Sequence, residues 1–131
     1  MSNNPSDLRY TKDHEWIRST GNAWRVGITD FAQKQLGDIV FVELPKVGYE
    51  LETGDSFGSI ESVKSVSELF APVSGKVTAV NTSIADDPEL VNTDTYTDGW
   101  LIEIEPSNKS ELDSLLTVDE YEKFTLEEPS Q

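Results

Sequence analysis

Residues 57–70 of the chain read FGSIESVKSVSELF. Apolar and polar residues recur on both sides of Lys64-Ser65, which predicts strands over 57–63 and 66–70 joined by a tight turn. An approximate mirror about that centre predicts the rungs Val63–Val66, Ser62–Ser67, Glu61–Glu68 and Ile60–Leu69. This register places two glutamates opposite each other, so either their side chains splay into water or a bulge changes the pairing.

Lys64 stands at the apex of the predicted hairpin, and no other Lys or Arg occurs between Lys46 and Lys76. Most lysines on turns are ordinary surface residues. Here Lys-Ser is a poor choice for a two-residue hairpin loop, which favours residues such as Asn-Gly, so turn chemistry does not account for the lysine. The predicted contact of Val63 with Val66 fixes the base of the turn and leaves the amine free. An amine held in this way can accept an acyl group as an amide, which removes its charge.

The rest of the chain has the rhythm of an all-β sandwich or barrel, because turn residues separate short runs of Val, Ile, Leu and Phe every eight to twelve positions. Further strands are predicted over residues 15–18, 24–28, 39–44, 76–80 and 100–105. Short helices are predicted over 31–36, near 86–90, over 111–116 with Ser110 as its cap, and over 118–124. Thr29 or Asp30 can cap the first helix, and Gly37 suits its end.

Length and composition limit the class of protein. The 131 residues fit one domain over 8–125, with polar tails at 1–7 and 126–131 that we expect to be disordered. The chain has no cysteine, which excludes disulfides, thiolate nucleophiles and Cys-based zinc sites. No apolar stretch approaches the ~20 residues of a spanning helix, and the first residues lack a signal or transit pattern. We therefore expect a cytoplasmic protein with no membrane association.

The charge balance argues against nucleic acid as a partner. Ten basic residues face 25 acidic ones, for a net charge of −15, whereas phosphate binding needs clustered Lys and Arg. The excess lies in residues 37–131, which hold five basic and 21 acidic residues. Such a surface commonly keeps a small protein soluble and monomeric, and we expect a monomer. Alternatively, it favours docking onto basic surfaces of partner proteins.

His14 is the only histidine and lies between Asp13 and Glu15. This grouping allows acid–base catalysis in principle. Without a Ser or Cys nucleophile motif nearby, a structural or positioning role for His14 is the stronger interpretation. The remaining carboxylate pairs do not match a calcium-loop spacing, and no metal site is expected.

Several blocks of the chain resemble, in order, the H proteins of the glycine cleavage system. The similarity runs from Leu8 to Phe124. The matching blocks are YTKDHEW (10–16), VGITDFAQ (26–33), LGDIVFVELP (36–45), ESVKSVSE (61–68), APVSGKV (71–77), PELVN (88–92) and GWL (99–101). Thr95 stands where the family usually carries proline.

This resemblance implies a mostly β fold, a flattened barrel-sandwich hybrid of the lipoyl/biotinyl-carrier type with a few short helices, one of them C-terminal. It implies a carrier rather than an enzyme. Lys64 occupies the position at which the family attaches lipoic acid through an amide. By their place in the family pattern, Asp13, Glu15 and Glu68 are candidates for a cleft that holds the amine carried by the loaded arm, although they could equally be solvated surface acids.

The resemblance also implies partners. A pyridoxal-phosphate-dependent glycine decarboxylase loads an aminomethyl group onto the arm, an aminomethyltransferase passes the one-carbon unit to tetrahydrofolate, and a dihydrolipoyl dehydrogenase reoxidises the dithiol. Lipoate-attaching enzymes modify the lysine. An alternative role is a lipoyl relay that donates lipoate to other lipoyl domains. A biotinyl domain is a poorer match because it places Met on both sides of its lysine, and lipoyl domains of 2-oxoacid dehydrogenases usually carry Asp before theirs.

Overall fold

The computed structural model describes residues 5, 7–19, 21 and 23–127 of the chain. Within these residues, short strands form two antiparallel sheets. The strands are β1 (Arg9–Tyr10), β2 (Glu15–Arg18), β3 (Trp24–Ile28), β4 (Ile39–Glu43), β5 (Glu50–Leu51), β6 (Ser56–Ser62), β7 (Val66–Phe70), β8 (Gly75–Val80) and β9 (Ile102–Pro106). One sheet has six strands in the order β1-β2-β3-β9-β8-β5, and the other has three in the order β4-β6-β7.

Short helices connect the strands, and two follow the last strand. They are α1 (Asp30–Leu36), α2 (Ser83–Asp86), α3 (Leu90–Thr93), a 3₁₀ helix (Lys109–Ser114) and the C-terminal α4 (Val118–Glu127). The mostly β architecture with a C-terminal helix confirms the predicted fold class.

The two sheets share one apolar core. Side chains from both sheets are almost fully buried in it, among them Val26, Ile60, Val77 and Ile104. A second, smaller cluster forms where α4 packs on β1 and β2, and it is built on Leu8, Tyr10, Trp16 and Tyr121. The apolar runs that predicted strands therefore supply the burial that stabilises the sandwich.

Most of the predicted elements are present. β2, β3 and β7 have the predicted bounds, and α1 begins one residue early, with the Thr29 hydroxyl accepting from Ala32 N and Gly37 at its C-cap. In place of the single helical turn predicted near 86–90, α2 ends at Asp86 and α3 begins at Leu90, and a turn closed by Leu90 N donating to Asp87 O joins them. The helix predicted over 111–116 is instead the 3₁₀ helix, capped by Asn108 rather than Ser110. Residues 1–4, 6 and 128–131 of the predicted tails lie outside the described residues.

The predicted register of the hairpin is wrong by two residues. Glu61 pairs with Val66, Ile60 with Ser67, and Ser59 with Glu68. The observed pairing separates Glu61 from Glu68, which would otherwise repel each other across one rung. It also leaves Val63 and Val66 unpaired with each other and each 66% exposed, so they do not form the predicted apolar base of the turn.

Candidate functional site

The turn that carries Lys64 is held by the side chain that precedes it. Ser62 Oγ accepts from the backbone N–H of Lys64 and of Ser65, both at 3.1 Å, and donates to Ser65 O at 3.2 Å. Ser62 N donates to Ser65 O at 2.8 Å, which closes the turn. A serine hydroxyl that binds backbone groups two and three residues onward is a recognised way to shape a turn. The tip is therefore ordered by hydrogen bonds rather than by apolar contact.

The same tip rests on the segment between α1 and β4. Val63 N donates to Asp38 O at 3.1 Å. The lysine stem runs over Gly37, since a Cβ added there would lie 3.2 Å from Lys64 Cε. Gly37 also has φ +81°, a conformation that favours glycine. The body of the protein thus supports both the backbone and the side chain of the turn.

The amine of Lys64 is available for chemistry. The residue is exposed, and within the described part of the chain no carboxylate forms an ion pair with it. An exposed amine on an anchored turn is accessible to an enzyme that must bring an acyl group to it. The structure therefore fits an acylated lysine at position 64.

Glu15 is a buried carboxylic acid at the far end of the hairpin. Its side chain is 2% exposed, and Oε2 accepts from Phe70 N at 2.8 Å. Oε1 is buried and finds no hydrogen-bond partner among the described residues. Burial raises the pKa of Glu15 to about 8, the nearby charge of Asp13 acts in the same direction, and the hydrogen bonds from Phe70 and Thr11 oppose it. Glu15 is therefore protonated at neutral pH and has an unused polar atom.

The other two cleft candidates are exposed. Asp13 lies in the turn before β2, two residues before Glu15, and its charge raises the pKa of Glu15. Glu68 lies on β7, opposite Ser59 of β6. Phe70, the last residue of β7, donates its amide to Glu15. Phe70 is four residues beyond Val66, about 13 Å along the strand. The structure thus places Asp13 and Glu15 close together. β7, the strand that leaves the Lys64 turn, contacts Glu15 at its far end through Phe70 N.

His14 has a packing role in this region. Its backbone adopts φ 64°, its ring stacks on Phe31 at 4.6 Å between centroids, and Nδ1 lies 2.8 Å from the Tyr121 hydroxyl. The same hydroxyl lies 2.7 Å from Thr29 Oγ1 at the start of α1. His14 thus links the turn before β2 to α1 and α4, which supports the structural interpretation over acid–base catalysis.

Sequence reasoning gave Ser62, Gly37 and Asp38 no role in holding the Lys64 turn. Ser62 could have been found, because serine at the first position of a turn commonly binds the amides that follow. Gly37 and Asp38 lie more than 20 residues before Lys64, and no local pattern joins them to it. Thr95, which departs from the family pattern, is buried and donates to Val91 O at 2.9 Å, so a hydrogen bond orders that loop.

Two kinds of feature are absent from the described residues. No group of three or more His, Cys, Asp or Glu is placed to hold a metal ion. No helix in the described ranges has the length and apolar character needed to cross a membrane.

A two-sheet β sandwich that presents a lysine on a hairpin turn defines a barrel-sandwich fold of the lipoyl type. A family model described as glycine cleavage H-protein matches residues 8–128. The chain belongs to the glycine cleavage H-protein family.

Individual relatives agree with this assignment. A glycine cleavage system H protein of Carboxydothermus hydrogenoformans is 58% identical over 128 residues, with 98% of each chain covered. One from Koribacter versatilis is 60% identical over 124 residues, with 95% of each covered. The crystal structure of a glycine cleavage system H protein from Mycobacterium marinum superposes with a TM-score of 0.86 at 44% identity, covering 93% of this chain and 98% of that one.

Proposed function

We propose that this chain is the lipoyl-carrying shuttle of the glycine cleavage system, with lipoic acid attached to Lys64 through an amide. The observation that carries the proposal is the exposed Lys64 amine on a turn held by Ser62 and supported by Gly37 and Asp38. When attached, the lipoyl group supplies a disulfide that can accept the one-carbon unit and be regenerated by oxidation. The chain itself supplies the tether and the docking surface and catalyses none of these reactions.

Attachment requires Lys64 Nζ as a nucleophile. The neutral amine attacks the carboxyl carbon of lipoate, which an acyl adenylate or thioester activates, and the leaving group departs with its bonding electrons as the nitrogen loses a proton. Exposure lets the attaching enzyme remove that proton in its own active site. The product is a neutral amide, so the modified arm has no charge at its root.

The proposed partners act on the arm one after another: glycine decarboxylase, aminomethyltransferase and dihydrolipoyl dehydrogenase. A tether keeps the reactive group at high local concentration at each docked site. Exposed apolar side chains on β4 and around the turn offer contact area for such partners, namely Val40, Phe41, Val63 and Val66. The cytoplasmic location and monomeric state expected from the sequence remain part of this proposal.

We further propose that Asp13, Glu15 and Glu68 form a cleft for the amine that the loaded arm carries. Glu15 supports this most directly, because its buried Oε1 has no partner in the described residues and can hydrogen-bond an incoming amine. We expect Asp13, in the turn before β2, and Glu68, two residues before Phe70 on β7, to add negative charge near Glu15. An ammonium group beside Glu15 would lower the pKa of the carboxyl and favour an ionised carboxylate, because an opposite charge stabilises the charged form.

Mass analysis of the protein from its native source tests the attachment site. We expect an intact mass that corresponds to one lipoyl group per chain, and fragment spectra that place it on Lys64. The other six lysines of the chain are internal controls and should be unmodified. Protein that carries no lipoyl group under conditions in which glycine is degraded, or carries it elsewhere, would contradict the proposal.

Salt should weaken docking to the partner enzymes. Exposed charges are screened beyond ~10 Å at 0.1 M ionic strength and beyond about 3 Å at 1 M, so the acidic surface loses its attraction for basic partner surfaces. We expect kcat/KM of each partner for the lipoylated protein to fall several-fold over this range. Glu61→Gln, beside the turn, should flatten the salt dependence, whereas Glu105→Gln on the other sheet should not. Rates that do not change with salt would exclude electrostatic docking.

A further inference from the structure

Asn92 binds residues 37–39, the segment on which the Lys64 turn rests. Its Nδ2 donates to Gly37 O and to Gln33 Oε1, both at 2.9 Å, and its Oδ1 accepts from Ile39 N at 2.9 Å. One carboxamide therefore holds the backbone on both sides of Asp38. Only a side chain with both donors and an acceptor can make all three bonds, so aspartate or leucine could not replace it.

The supported segment is the one on which the turn rests. Asp38 O accepts from Val63 N, and Lys64 passes over Gly37. Ile39, whose amide Asn92 binds, pairs with Ser62 in the ladder between β4 and β6. Each contact between the turn and the body in this region thus involves a residue within the stretch that Asn92 holds.

We propose that Asn92 is a positioning residue for the acylation of Lys64. This inference rests on the proposed function of Lys64. Ser62 sets the shape of the turn by local hydrogen bonds, and Asn92 sets where that turn stands relative to the rest of the protein. The attaching enzyme must dock on the body and reach the amine, so the body-to-amine geometry determines whether Nζ meets the activated carboxyl carbon.

The placement of Asn92 separates this role from core packing. Asn92 lies on α3, a four-residue helix that contributes Val91 to the core with 0% exposure. The Asn92 side chain is half-buried, and within the described residues its hydrogen bonds go to Gln33, Gly37 and Ile39. Its loss should therefore release the 37–39 segment while the core stays packed.

The test compares Asn92→Asp with Asn81→Asp, a matched variant elsewhere in the fold. Asn81 also donates twice through Nδ2, to Asp98 O at 2.8 Å and Trp100 O at 2.7 Å, and accepts from Ser83 N. Both substitutions keep the acceptor, remove two N–H donors and leave an oxygen facing former acceptors. Only Asn92 touches the segment beneath Lys64, so a general loss of stability affects both variants and a positioning defect affects one.

Steady-state lipoylation is measured with purified lipoate ligase, lipoate and ATP, at a temperature where both variants are folded. For Asn92→Asp we expect kcat to fall by about tenfold or more with KM unchanged, because the docking surface remains while the nucleophile is misplaced. Hydrogen exchange of the Val63 amide should quicken by a similar factor. Asn81→Asp should keep wild-type kcat and Val63 exchange.

Each other outcome overturns the inference. Equal kcat in the two variants would show that Asn92 does not position the amine, and a raised KM alone would indicate only a reduced folded fraction. Failure of Asn92→Asp to fold would show that its side chain serves the core. If the wild-type chain is not lipoylated at all, the proposed function fails, and the Val63 exchange rate still reports whether Asn92 holds the turn.

Discussion

Lys64→Arg should fold like the wild-type protein and carry no lipoyl group. Arginine keeps the positive charge and much of the length of lysine, but its guanidinium stays protonated and cannot act as the acylated nitrogen. Lys64 is exposed and has no ion pair within the described residues, so we expect the free energy of unfolding to change by no more than about 0.5 kcal/mol. Incubation with lipoate ligase should give no adduct by mass, and glycine cleavage reconstituted with this variant should fall to background.

Lys46→Arg and Lys76→Arg are the matched controls, because both lysines are exposed and lie outside the hairpin. Both variants should be lipoylated and active at wild-type rates. Carrier activity of Lys64→Arg above background, in a protein shown to be folded by circular dichroism, would refute the assignment of Lys64 as the tether.

The strands of the hairpin were predictable, but their register was not. β7 has its predicted bounds and β6 is displaced by one residue, because the apolar pattern sets which segments can be buried. The mirror symmetry of residues 60–69 favoured the pairing of Ile60 with Leu69. That prediction did not include the Ser62 hydroxyl, which accepts hydrogen bonds from the amides of Lys64 and Ser65. The observed pairing, in which Ser62 makes these hydrogen bonds, is therefore shifted by two residues from the pairing that the apolar contacts favoured.

The candidate site was likewise predictable only in part. Lys64 could be singled out from its own neighbourhood, because its position at the apex and the family pattern around it are local features. The support beneath it could not, since Gly37 and Asn92 are 55 residues apart in the chain and meet only in the folded protein. The burial of Glu15 was also unpredictable, because an acidic side chain normally faces solvent.

These contacts give the lysine two independent restraints. Ser62 acts within the turn, and the 37–39 segment acts from the body. In the proposed carrier, the long side chain and the lipoyl group on it supply the mobility, so the backbone at its root can be rigid. Rigidity there limits the volume that the arm explores and raises its effective concentration at a docked active site.

Glu15 makes the stability of the folded protein depend on pH. Its pKa is raised from 4.5 to about 8 by burial, so between these values the unfolded chain has lost the proton that the folded chain keeps. The folded state therefore binds more protons in this window, and the contribution of Glu15 makes the free energy of unfolding fall as pH rises. The cost of ionising the buried Glu15 carboxyl is absent below about pH 4.5 and reaches its full size above about pH 8.

Glu15→Gln should remove this dependence, because glutamine keeps an oxygen that can accept from Phe70 N and has no proton to lose. We expect the variant to match wild type near pH 4.5 and to exceed it above pH 8 by an amount on the order of 5 kcal/mol, at 1.36 kcal/mol per pKa unit. Urea unfolding measured from pH 4.5 to pH 9 gives both curves, and Glu68→Gln, an exposed acid on β7, should follow wild type throughout. Parallel curves for Glu15→Gln and wild type would mean that the buried carboxyl ionises without cost. The proposed cleft would then hold an ionised Glu15 before any amine binds, rather than a neutral Glu15 that loses its proton when the amine binds.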